Sequence, residues 1–97
     1  MSRTTTKPTL IKLALLALEY ARAVEEAAHC KHVLQGGYLA WRHTTGNQWT
    51  EIERNSPEWK AMMQATASEY QEQQKAKRRE RHLKTKLLAL ADKLEGA

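Results

Sequence analysis

The sequence predicts an all-α protein with two main helices, at about residues 9–35 and 57–95, packed partly antiparallel across a connector at 36–56. Three observations predict it. The apolar share of 41% leans on Ala and Leu with no Phe, a composition that favours helix over sheet. Leu13, Leu16, Tyr20, Ala23, Ala27, Cys30 and Leu34 recur at alternating spacings of three and four residues, which places them on one helical face. Leu83, Leu87, Leu90 and Leu94 repeat that spacing near the C-terminus. A chain of 97 residues can bury one modest core, so a single domain over residues 1–97 is expected.

In chain order, Met1 to Lys7 shows no periodicity and reads as a loose tail. The first helix starts at Pro8 or Thr9, because proline is tolerated in a first turn and threonine can cap one. Lys12, Glu19, Arg22, Glu25, Glu26, His29 and His32 all fall off its apolar stripe, so the stripe wants a partner along its whole length. Gly36-Gly37 is expected to end the helix, since glycine reaches the left-handed geometry that closes one. Tyr38 to Arg42 and Gln48 to Ile52 are short aromatic or β-branched stretches around Thr44-Thr45-Gly46-Asn47. That pattern reads as a turn and suits a short β-hairpin leaning on the helices.

Asn55-Ser56-Pro57-Glu58 is the cleanest local signal in the chain. Ser56 can cap, Pro57 suits the first helical position, and Glu58 complements the positive helix end. Trp59, Met62, Met63, Thr66 and Tyr70 supply an apolar face. Only Ala76 is apolar between Gln71 and His82, yet no Gly or Pro interrupts the segment. One long helix, or two nearly continuous ones, is therefore expected, with an exposed, charged middle. Because its Leu83 to Leu94 stripe runs past the first helix, that stripe is expected to serve self-association or partner docking.

The formal net charge is +5, and its distribution matters more than its size. Lys75, Lys77, Arg78, Arg79, Arg81, Lys84 and Lys86 stand against Glu80 alone, a local net of +6 that leaves −1 for the rest of the chain. Seven cations within twelve residues of one helix could neutralise several phosphates or grip an acidic protein surface. A merely solvated helix has little to pair them with, since only Glu72 and Glu80 lie nearby. No aromatic residue is interleaved with the block, so stacking on single strands is not indicated.

Trp41, Trp49 and Trp59 lie in or beside the connector. Trp59 is expected to pack against the helices, whereas Trp41 and Trp49 with Arg42 have the composition of an interface hot spot. The expected partner-contacting residues are thus Trp41, Arg42, Trp49, Lys75, Lys77, Arg78, Arg79, Arg81, Lys84 and Lys86.

Catalytic and cofactor chemistry find no footing. His29, Cys30 and His32 are ligand types, but Cys30 belongs to the apolar stripe about 100° from His29, and no second pair follows at zinc-site spacing. The better reading is a core thiol flanked by surface histidines. No Asp precedes Asp92, and neither a nucleophile elbow nor a phosphate-cradling glycine loop is present. Glu25 and Glu26 point to different sides of a helix. No enzyme, metal or cofactor is expected. The lone cysteine fits a reducing cytoplasm. Leu13 to Leu18, bracketed by Lys12 and Glu19, reads as a helix face and not as an export signal or a membrane span.

The Leu- and Ala-rich opening helix, His29-Cys30-Lys31-His32, Trp41-Arg42-His43-Thr44-Thr45-Gly46-Asn47, the stretch from Asn55 to Met63 and the basic helical tail together resemble the small lambdoid-phage anti-RecBCD accessory proteins. The resemblance runs over most of the chain. It implies a protein of the host cytoplasm that binds the host RecBCD helicase–nuclease, inhibits or alters its activity, protects linear DNA and favours recombination, acting by contact without chemistry of its own. No individual binding residue follows from it. Two other readings stand beside it: direct nucleic-acid binding through Lys75 to Lys86, and a structural coiled-coil partner.

Overall fold

A computed structural model describes residues 3–96, with side chains from Lys7 onward. It contains three helices: α1 at Arg3–Thr44, α2 at Pro57–Ala65 and α3 at Ala67–Gly96. No strand occurs among the described residues. The all-α expectation holds, α1 and α3 pack together, and the β-hairpin does not form. No helix among the described residues is long and apolar enough to cross a membrane.

The chain divides into two compact units. One takes in the chain up to Ala27 and from Ala76 onward, the other Ala28–Lys75. In the first, the N-terminal part of α1 lies against the C-terminal part of α3, so the two helices run antiparallel. Ala23, Ala27, Ala76 and Leu83 are buried there. Leu13, Leu16, Tyr20, Leu87, Leu90 and Leu94 are half-buried along the same seam. The Leu83 to Leu94 stripe thus has an internal partner, contrary to expectation. The physical reason is the greater length of α1, which begins at Arg3. Of the loose tail expected at Met1 to Lys7, residues 3–7 are helical, while Met1 and Ser2 lie outside the described residues.

In the second unit, Leu34, Met62 and Thr66 are buried. Here α1 runs straight through Gly36-Gly37, where a stop was expected. The three-four spacing continues from Leu34 to Gly37 and Trp41, both half-buried, so the seam carries the helix past its glycines. Gly37 has a packing role: a Cβ added there would stand 3.3 Å from Cγ2 of Thr66, whereas one at Gly36 would meet nothing within 4 Å.

Glycine does end α1, ten residues later. Gly46 adopts φ +76°. Its N–H donates to the His43 carbonyl at 3.4 Å, and the Asn47 N–H donates to the Arg42 carbonyl at 2.8 Å. This is the Schellman pattern, in which a left-handed residue lets two amides satisfy the last free carbonyls. The expected turn at Thr44 to Asn47 is therefore a helix cap and not the tip of a hairpin. Tyr38 to Arg42, expected as one arm of the hairpin from its aromatic content, is part of helix α1 instead.

Ser56 caps α2 as expected, accepting from the Trp59 N–H at 3.1 Å. Of the two forms expected for the second helical segment, two nearly continuous helices occur, meeting at Thr66 ahead of the charged stretch. The Thr66 hydroxyl, itself buried, donates to the Met62 carbonyl at 2.8 Å. Side-chain competition of this kind for a helix carbonyl bends helices. Helical bonding resumes at once, with Tyr70 N–H donating to the Thr66 carbonyl at 3.0 Å. From Glu69 onward the positions turned inward are Glu69, Gln73, Ala76, Glu80 and Leu83, at spacings of four and three.

Candidate functional site

The seam of α3 sets the orientation of the basic block. Ala76 and Leu83 are buried and Glu80 is half-buried, while Lys75, Lys77, Arg78, Arg79, Arg81, Lys84 and Lys86 are all exposed. At 100° per residue, Arg78 and Arg81 face away from the seam, with Lys77 and Lys84 on one flank and Arg79 and Lys86 on the other. Lys75 also belongs to α3 but lies in the second unit, whereas the other six lie in the first. His82 is exposed on the same outward side. The heptad register set by Ala76 and Leu83 places it there.

The electrostatics of this belt are open. The one ion pair among the described residues joins Lys75 to Glu72 at 3.8 Å, with both side chains about two-thirds exposed. A pair so hydrated holds its partners weakly. Lys77, Arg78, Arg79, Arg81, Lys84 and Lys86 make no ion pair among the described residues. They span about 14 Å of helix at 1.5 Å per residue, a length over which like charges repel appreciably in dilute salt.

The aromatic candidates lie in the second unit. Trp49 is 95% exposed, in a turn where Gln48 bonds the His43 ring. Trp41 and Arg42 are half-buried near the end of α1. Trp41 continues the seam, and its carbonyl accepts from the Thr45 hydroxyl at 2.7 Å. Trp49 is therefore the tryptophan most available to a partner, and Trp41 is tied into the helix end.

Sequence reasoning missed a cleft in this unit. It has a volume of about 670 Å³ and is lined by Tyr38, Arg54, Trp59, Met62, Met63, Ala67, Tyr70 and Gln71. The Tyr38 hydroxyl donates to Met63 Sδ at 4.0 Å. Burial, and secondarily the nearby Tyr70, raise the Tyr38 pKa above its usual range, because both disfavour the phenolate. The spacings Leu34–Tyr38 and Thr66–Tyr70 would have placed both tyrosines beside the seam, had the seam been followed past Gly37.

Cys30 is half-buried on the seam, while His29 and His32 are exposed. Among the described residues no group of three or more His, Cys, Asp and Glu converges.

Comparisons with protein families, with curated proteins and with solved structures return no match to this chain.

Proposed function

We propose that this chain acts by contact, as an accessory protein that binds the host RecBCD helicase–nuclease and modulates it, protecting linear DNA and favouring recombination. The observation that supports a contact role is the α3 belt, where six cations that make no ion pair among the described residues stand exposed around the sides of a helix that packs on α1. An acidic partner surface relieves their mutual repulsion and is steered to them over a Debye length. The exposed indole of Trp49 offers a separate apolar contact of the kind that dominates protein interfaces.

The test is a pull-down with the tagged chain from nuclease-treated host lysate at moderate salt. RecBCD subunits are expected on the wild-type chain. They are expected to be lost, or reduced more than tenfold, with Trp49→Ala or with Arg78, Arg79 and Arg81 changed together to Ala. Retention of nothing by the wild-type chain would overturn this reading.

A second reading, direct binding of nucleic acid, is favoured by Arg78 and Arg81, exposed about one turn apart on the outward side of α3. Here the logarithm of affinity falls linearly with the logarithm of salt concentration, by about 0.9 per phosphate neutralised on duplex DNA. Removing Arg78, Arg79 and Arg81 should make the slope shallower by roughly two to three. A slope unchanged by the triple substitution would rule this reading out.

A further inference from the structure

The cleft of the second unit has the size and the lining of a ligand site. Its volume of about 670 Å³ falls within the range of roughly 300–1,000 Å³ typical of small-molecule sites. Tyr38 comes to it from α1, Trp59, Met62 and Met63 from α2, and Tyr70 from α3, so aromatic rings and thioethers make most of its wall. Thioethers are polarizable and adapt to a ring laid against them.

The polar groups at this cleft are donors in want of an acceptor. Arg54 lines it, and its guanidinium makes neither an ion pair nor a hydrogen bond among the described residues. Glu51 and Glu53, the nearest acids in sequence, do not pair with it. The Tyr38 hydroxyl donates only to Met63 Sδ, at 4.0 Å, and a thioether is a weak acceptor. No acidic side chain among the described residues lines the cleft. The backbone holds Arg54 in its place. Ser56 N–H donates to the Glu53 carbonyl at 3.1 Å, closing a turn over Arg54 and Asn55. Asn55 takes φ +68° there, the left-handed geometry that asparagine tolerates at the third position of a turn. Ser56 then caps α2, so the turn leads directly into the helix that carries Trp59.

A lone guanidinium and a poorly satisfied phenol beside aromatic walls are complementary to a flat apolar body bearing one negative charge. We propose that this cleft binds a small aromatic carboxylate, with its ring against Trp59 and Tyr70 and its carboxylate held by the Arg54 guanidinium and the Tyr38 hydroxyl. Tyr38 thereby exchanges a sulfur acceptor for a charged oxygen. The site is separate from the basic belt and does not depend on what the belt binds.

Titration of the nitrogen-15-labelled full chain with 2-naphthoate tests it, read at the indole N–H signals of the three tryptophans. Of the three, only Trp59 lines the cleft, so its signal should shift saturably while those of Trp41 and Trp49 stay in place. A dissociation constant of about 1 mM or tighter is expected for a probe of this size. Arg54→Gln should weaken binding by about tenfold or more, and Tyr38→Phe by about threefold or more, since each removes a hydrogen bond to the carboxylate. Both variants should fold, because Arg54 is exposed and phenylalanine keeps the ring of Tyr38. Arg54→Lys should recover only part of the loss, because a lysine lacks the two-pronged fork. The uncharged 2-naphthalenemethanol should bind about tenfold more weakly than the acid and be indifferent to Arg54→Gln. Changing Arg78, Arg79 and Arg81 together to Ala should leave the Trp59 response as it is. A Trp59 signal that stays still at millimolar 2-naphthoate would overturn the proposal. So would an alcohol bound as tightly as the acid, or an affinity unchanged in Arg54→Gln.

Discussion

Two adjacent glycines inside α1 offer the sharpest test of how the helices meet. Gly36→Ala and Gly37→Ala remove the same backbone freedom and gain the same helix propensity, about 0.8–1.0 kcal/mol each. They differ in what the new methyl meets. At Gly36 nothing lies within 4 Å, whereas at Gly37 the methyl would stand 3.3 Å from Cγ2 of Thr66. Thr66 cannot swing away freely, since it is 3% exposed and its hydroxyl is held by the Met62 carbonyl at 2.8 Å. Forcing a pinned side chain off its rotamer or shifting the backbone costs about 1–3 kcal/mol. Gly36→Ala should therefore stabilise the chain by about 1 kcal/mol, and Gly37→Ala should destabilise it by about 1 kcal/mol once propensity is offset against crowding.

Urea denaturation measures both. The Gly37→Ala loss should vanish in a Thr66→Ala background, where the facing methyl is gone, leaving the propensity gain exposed. Equal stabilisation by the two alanines in the wild-type background would refute the close approach of α1 to the α2–α3 junction.

Other substitutions probe the remaining contacts. Leu83, 5% exposed on the seam, should lose about 2–5 kcal/mol on change to Ala, read as a fall in the denaturation midpoint at unchanged slope; a loss under 1 kcal/mol would argue against its packing on α1. Ser56→Ala removes the acceptor of the Trp59 N–H and should cost about 1 kcal/mol, while Ser56→Asp should retain most of the stability. Because burial raises the Tyr38 pKa in the folded chain, its contribution is fully present below the unfolded tyrosine pKa of about 10 and is lost as pH rises through the folded value. Alkaline titration of phenolate absorbance should show one late-ionising tyrosine that disappears in Tyr38→Phe; its persistence would assign the shift to another residue.

The amino-acid order by itself determined the helical class, the phase of both heptad stripes, the Ser56 cap and the outward crowding of cations around Lys75 to Lys86. These follow from local rules: side-chain periodicity, capping chemistry and charge density act within a few residues and need no distant partner. Tertiary structure decided where the helices stop. Gly36-Gly37 has the local chemistry of a terminus, yet the helix continues because the seam goes on through Gly37 to Trp41, and Gly37 serves as the place where Thr66 comes close. Thr66 has nothing in its neighbours' sequence to mark a break; its backbone leaves helical geometry there, at φ −108° and ψ 18°. Tyr38 to Arg42 looks strand-like by composition, but propensity of less than a kilocalorie per residue yields to an apolar face continued along α1. Leu10, Ile11, Leu15 and Leu18 are exposed, and this was hidden for the same reason: a run of leucines reads as core until the structure shows that one hairpin can cover only one side of it.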